Sequence, residues 1–288
     1  MGQYSIKELE QLSGIKAHTI RIWEKRHHLI EPQRTKTNIR YYSDEDLKKI
    51  INVSLLNTHG IKISRIVGMS GDEISNKIIE LSQSQHDASI HIDQLIVSMV
   101  DLDEEKFEKT ISGLTLRFDF EKTVTEIIYP FLEKIGVLWQ TGNISPAQEH
   151  FVSNLIRQKI IVAIDALPIA PQGARRALLY LPEIEQHEIA LLFYHYLTKK
   201  AGFKTFYLGQ TVPHEDLKSV YETHHPEIII TSLTAANPSG TMEHYLKKMS
   251  DDFPNAKILA SGYQVQHIIP AWPNVHLFKK ALDLKQLF

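Results

Sequence analysis

The sequence predicts a multidomain α and α/β protein with a helical head, a helical middle and a C-terminal parallel sheet. Three observations carry that expectation. Residues 1–80 read as short helices broken by a basic, strand-capable interruption. Residues 86–170 read as longer amphipathic helices, with apolar side chains recurring three and four apart. Residues 175–288 alternate strand-like and helix-like runs, as a doubly wound parallel sheet requires. The breaks are LSQSQHDAS (81–89), polar and unpatterned, and LPIAPQGARR (167–176), with two prolines and a glycine.

Composition narrows the class. At 288 residues, 43% hydrophobic and 23% charged, the chain has the make-up of an ordinary globular protein. It has no cysteine, which excludes a disulfide framework, a thiolate metal site and a cysteine nucleophile. No apolar run approaches the roughly 18 residues of a membrane span. MGQYSIKELEQLSG has no apolar signal core, so a cytoplasmic location and no membrane partner are expected. Charge is uneven. Residues 1–50 hold ten Lys/Arg and seven Asp/Glu, a local +3, which leaves −5 on the remainder of a chain whose net is −2. A basic head suits a surface that meets phosphates.

In the head, Ser5 caps a short helix over residues 6–12 and Gly14 ends it; a second helix follows over residues 17–25. Two short helices joined by a glycine turn make a helix-turn-helix. Residues 32–42 carry Arg34, Lys36 and Arg40 among Thr, Asn and Tyr, a composition suited to a wing along a DNA backbone. Ser43 caps the next helix, with Asp44, Glu45 and Asp46 at its positive end. These residues alone fit equally a small helical domain with a solvated basic loop. The order YSIKELEQLSGI, TIRIWEKRHHLIEPQRT, RYYSDEDL resembles the DNA-binding domain of the MerR family over about 70 residues. The resemblance implies a winged helix-turn-helix with Thr19, Arg21 and Arg26 at the major groove. It further implies Arg34, Arg40 and Tyr41 on phosphates, and a dimer on a near-palindromic double-stranded operator.

In the C-terminal part, strands are expected at ALLYL (177–181), KTFYL (204–208), EIIITS (227–232), KILAS (257–261) and VHLF (275–278). Ligands of such sheets sit beyond the carboxyl ends of the strands. There the sequence places Glu183, Glu185 and His187, then Gly209 and Gln210, then Ser232 and Leu233, then Ser261 and Gly262. Neutral imidazole is a good transition-metal ligand, and Glu185 is placed to fix its tautomer. A lone histidine cannot hold a free ion well, but it can be the fifth ligand of a metal already held by a macrocycle. By itself it is more often a surface or capping residue. The run Glu185-x-His187-x-x-Ala190, then Ser232-Leu233, then Ser261-Gly262 is similar to the cobalamin-binding domain, whose pattern is Asp-x-His-x-x-Gly, Ser-x-Leu and Gly-Gly. The resemblance implies a Rossmann-like sheet, His187 as the lower axial ligand of cobalt, and a displaced nucleotide tail beside Ser232 and Gly262. Glu185, Ala190 and Ser261 depart from the pattern, and the last two add bulk along the tail.

In the middle, Ser145, Pro146 and Gln148 mark a helix start, with Glu149 and His150 in its first turn and Trp139 ending the preceding pattern. A core tryptophan with two surface polar residues is the ordinary reading of that set. Trp139-x9-Glu149-His150 also resembles the four-helix bundle of CarH-type cobalamin photoreceptor regulators. That implies a bundle over the upper face of adenosylcobalamin, with all three residues near the adenosyl group. Photosensory members can carry a histidine directly after the tryptophan, where this chain has Gln140.

Three domains are therefore expected: 1–80, DNA-binding; 86–170, the bundle; 175–288, cobalamin-binding. The resemblance implies a transcriptional repressor, not an enzyme. Adenosylcobalamin and light would control its self-association, as dimer or tetramer, and its DNA affinity. The alternatives are a light-independent regulator sensing cobalamin or a partner, and a cobalamin-dependent methyltransferase or mutase module.

Overall fold

A computed structural model describes the chain except residues 1, 2, 36, 85, 86, 141–143, 184 and 236–240, and describes 82–84 and 137–140 without side chains. Trp139, Gln140 and Lys36 therefore lie outside the described side chains. The chain divides into two compact units, residues 1–155 and 156–288.

The first unit opens with α1 (Ile6–Ser13) and α2 (Ala17–His27). Ser5 accepts from the Glu8 N–H while Glu8 accepts from the Ser5 N–H, a reciprocal capping box. Gly14 ends α1 at φ 71°, a left-handed turn that glycine enters without strain. Lys16 offers α2 no side-chain cap; Glu10 of α1 instead accepts from the Ala17 N–H at 3.0 Å. Apolar Leu9, Leu12, Ile20 and Trp23 of the two helices are buried. The wing is a two-residue antiparallel pair, β1 (Gln33–Arg34) with β2 (Arg40–Tyr41), and Tyr4 bridges Tyr42 beside it.

Next come α3 (Asp44–Thr58), α4 (Ile63–Ile66) and α5 (Gly71–Ser84). Ser43 and Asp46 form a second capping box at the start of α3, whose first turn is acidic. The middle region runs through α6 (Ala88–Asp101), α7 (Glu104–Phe118), α8 (Phe120–Lys122), a π-helical turn over Thr123–Ile128, α9 (Tyr129–Gln140) and α10 (Pro146–Asp165). The π turn was not expected. It precedes Pro130, which has no N–H to continue the ordinary ladder. Gln148 donates to the Val100 carbonyl at 3.3 Å and ties the start of α10 to the end of α6.

The second unit holds β3 (Arg176–Pro182), α11 (Glu188–Lys200), β4 (Lys204–Val212), α12 (His214–His224), β5 (Ile228–Ser232), α13 (Met242–Asp252), β6 (Lys257–Ser261), β7 (Val275–Leu277) and α14 (Leu284–Leu287). The five strands form one parallel sheet in the order β4-β3-β5-β6-β7. The chain leaves β3 for one side and returns to its other side, so the strand order reverses between β3 and β5. Leu178, Tyr180, Ile229, Ala260 and Leu233 pack with Leu246, Met249 and Phe253 on the α13 side. By alternation Ser232 and Ser261 face the other side, towards α11. One expectation is corrected: Gly209 and Gln210 lie inside β4, not after it. Its register against β3 shifts there, with Gly209 at φ 76° and Thr211 at φ 57°.

Ser43→Ala removes the side-chain partner of the Asp46 N–H and should lower stability by about 1 kcal/mol. Urea unfolding would show it, and an unchanged midpoint would take the cap out of the forces holding α3.

Candidate functional site

The carboxyl ends of β3 and β5 are tied together by one side chain. After Pro182 the chain turns, with the Glu185 N–H on the Pro182 carbonyl at 2.9 Å, and this turn buries the Glu185 carboxylate. Its Oε1 accepts from the backbone N–H of Gln186 and His187, both at 3.0 Å, and from His187 Nδ1 at 2.6 Å. Its Oε2 accepts from the N–H of Thr234 and Ala235, both at 2.6 Å, on the loop after β5. Burial alone would raise this carboxyl, but the bonds from His187 and from the Ala235, His187 and Thr234 N–H groups outweigh it and hold it down to about 2.

An ionised carboxylate only accepts, so Nδ1 of His187 carries the hydrogen. Nε2 then bears the ring's lone pair, on a side chain 67% exposed at the N-terminus of α11. Among the described residues no group of three His, Asp or Glu could hold a bare metal ion. A neutral imidazole with its tautomer fixed in this way can act as a single donor to a transition metal through Nε2.

Further side chains brace the loop. Gln210 donates to the Gln186 carbonyl at 2.6 Å from the β4 side. Glu188 accepts from Arg157 Nε at 2.7 Å and from the Tyr207 hydroxyl at 2.8 Å, which pins the first turn of α11 to α10 and β4. Glu188 and Arg157 were not expected. Their only sequence signal is a carboxylate at a helix N-terminus, with no clue to its partner.

Ser232 and Ser261 are buried. The Leu233 N–H donates to the Ser261 carbonyl at 2.7 Å, so the two strand ends are bonded across. Gly262 sits at φ 108°, and a Cβ there would lie 2.4 Å from the Leu233 carbonyl oxygen. The smallness of Gly262 is thus taken up by the Leu233 backbone. The Tyr194 hydroxyl, reaching from α11, lies 2.8 Å from Ser261 Oγ. Tyr194 also went unnoticed in the sequence, where an aromatic on an apolar helix face reads as core. On the opposite face a cavity of about 280 Å³ opens beside Glu185, lined by Tyr180, His214, Leu233, Met242 and Tyr245.

On α10, Ser145 accepts from the Gln148 N–H at 3.3 Å and Gln148 Oε1 accepts from the Ser145 N–H at 3.2 Å, as the sequence indicates. Glu149 Oε2 lies 2.8 Å from His150 Nδ1, and Ser153 donates to Glu149 Oε1 at 2.6 Å. The two residues expected together are therefore in direct contact, and the Trp139 side chain lies outside the described residues.

In the head, Arg21 and Arg26 are exposed on α2 and Thr19 is half-buried. The wing arginines are held: Arg34 donates to Asn38 Oδ1 at 2.7 Å, and Arg40 lies 3.5 Å from Glu24 Oε1 on α2. The Tyr41 hydroxyl donates to Gln33 Oε1 at 2.7 Å across the wing. Thr19, Arg21 and Arg26 thus share a helix, and Arg34, Arg40 and Tyr41 share a ribbon beside it.

Residues 4–70 match the MerR HTH family regulatory protein description, and residues 91–163 match the B12 binding domain description. The chain is 27% identical over 259 residues to the HTH-type transcriptional repressor CarH of Myxococcus xanthus, covering 87% of this chain and 85% of that one. It is 27% identical over 233 residues to the repressor CarA of the same organism, covering 80% and 76%. The solved monomethylamine corrinoid protein of Methanosarcina barkeri superposes with a TM-score of 0.54 at 13% identity, over 68% of this chain and 96% of that one. This last likeness is one of fold. Among the described residues no helix is long and apolar enough to cross a membrane.

Glu185 is depressed from an ordinary 4.5 to about 2, so its stabilisation is complete above pH 4.5 and is lost as pH falls towards 2. Denaturant midpoints followed across that window should fall steeply in the native chain and less steeply in Glu185→Ala. Parallel curves would place the acid sensitivity elsewhere.

Proposed function

We propose that this chain, which joins a MerR-type helix-turn-helix domain to a B12-binding domain and is homologous to the CarH and CarA repressors, represses transcription in response to adenosylcobalamin and light. At the coarser level it is a cobalamin-linked DNA-binding regulator. The observation that carries the cofactor reading is the Glu185–His187 pair. A fixed tautomer presents Nε2 for cobalt, and the carboxylate behind it strengthens the imidazole as a donor.

The reading assigns residues 1–80 to DNA, 86–170 to the upper face of the cofactor and 175–288 to its lower face. Thr19, Arg21 and Arg26 enter the major groove. Arg34, Arg40 and Tyr41 meet phosphates, so Arg40 exchanges its bond with Glu24 for one with DNA. Trp139, Glu149 and His150 line the adenosyl side; Glu185, Ser232, Leu233, Ser261 and Gly262 surround the cofactor below, with His187 on the metal. Bound adenosylcobalamin supplies a light-labile cobalt–carbon bond. The dark form favours self-association, as a dimer or tetramer, and several linked heads bind DNA far more tightly than one.

Gln140 favours a second reading. An amide oxygen is a poor cobalt ligand, so the chain at that position lacks the histidine that secures a light state. Under that reading it senses cobalamin alone. A methyltransferase role has less behind it, since the named homologues are repressors and the corrinoid-protein likeness is one of fold.

One experiment separates these. The full chain is loaded with adenosylcobalamin in the dark, freed of unbound cofactor by gel filtration, and scanned before and after green light with operator DNA present. Retained colour and DNA binding that both change on illumination support the light-responsive repressor. Retained colour with unaltered DNA binding selects the light-independent reading. His187→Ala should alter the cobalt absorption bands, and an unaltered spectrum removes His187 from the metal.

A further inference from the structure

On the side of the sheet that carries Ser232 and Ser261, Tyr194 is buried against Ser261. This residue stands about two turns into α11 and places its hydroxyl 2.8 Å from Oγ of Ser261, the last residue of β6. Its ring meets Phe278 edge-on at 5.1 Å between centroids, so both ends of the side chain are engaged. It is 6% exposed, and burial raises its hydroxyl to about 12, so it stays neutral and able to donate. Nor does Gly262 open a passage, because the Leu233 backbone fills the space its missing side chain leaves.

Once His187 takes the lower position on cobalt, the nucleotide that occupied it must be housed below the corrin ring. The path that the resemblance implies, beside Ser232 and Gly262, lies on the side of the sheet where Tyr194 is packed against Ser261 and Phe278. We propose that Tyr194 is a specificity-determining residue that stands in the lower-nucleotide path and discriminates against corrinoids bearing that nucleotide. The inference rests on the cobalamin reading above and deepens it. For cobalamin to bind, the Tyr194 hydroxyl must leave Ser261 and its ring must leave Phe278. A corrinoid without the nucleotide needs neither movement.

The test compares adenosylcobinamide, which lacks the nucleotide, with adenosylcobalamin, in the dark, by equilibrium dialysis and cobalt absorbance on the full chain. Releasing the cobalamin base from cobalt costs the same in every variant, so the informative quantity is how the ratio of the two affinities changes. Tyr194→Ala should tighten adenosylcobalamin by about tenfold or more and leave adenosylcobinamide unchanged. Ser261→Gly frees the hydroxyl without emptying the core. It should shift the ratio in the same direction and serves if Tyr194→Ala fails to fold. Tyr194→Phe keeps the ring and should fall between the native chain and Tyr194→Ala. A ratio unchanged in folded variants overturns the role of Tyr194 and leaves the cobalamin reading standing. Retention of neither corrinoid by the native chain overturns both.

Discussion

The second unit turns on the Glu185 carboxylate. Five bonds converge on its two oxygens, two from the loop after β5 and three from its own loop. A buried charge of this kind is strongly unfavourable unless it is fully bonded, and this one is. The constraint joins the two strand ends at the reversal of strand order, fixes which nitrogen of His187 holds the hydrogen, and sets where α11 begins. The longer side chain of glutamate, where the cobalamin-binding pattern it resembles has aspartate, still reaches both loops.

That fixed point is braced from outside. Glu188, the next residue along from His187, joins Arg157 and the Tyr207 hydroxyl, and Tyr207 stacks on His195 at 4.8 Å between centroids. Burial holds His195 down to about 4, so this aromatic pair stays uncharged through the physiological range. Arg157 belongs to α10, which also carries Glu149 and His150 two turns earlier.

The head uses the same economy of paired charges. Glu10 caps α2 from α1, and Glu24 holds both Arg40 and the Tyr42 hydroxyl, which fixes the wing beside the helix. The Arg40 side of this ion pair is exposed while Glu24 is largely buried, so the arginine can leave the carboxylate more easily than the reverse.

Local features were legible in the sequence because their causes are local. Ser5, Gly14, Ser43 and Ser145 mark helix ends through bonds to residues within four positions, and short strand-like runs alternating with helix patterns marked the five strands. The Glu185–His187 contact spans two residues and could be read from spacing. Contacts between elements could not. The bonds from Thr234 and Ala235 to Glu185 cross about 50 positions, and the Tyr194–Ser261 bond spans 67. The resemblance set Gly262 beside a nucleotide tail, and in the fold it is a close crossing of backbones. By itself the sequence determined the order of elements, their caps and the residue types offered to a ligand, since these follow from bonds within a turn or two. Only the tertiary structure decided which of those residues have room beside them, because that depends on the neighbour that distant parts of the chain bring to each.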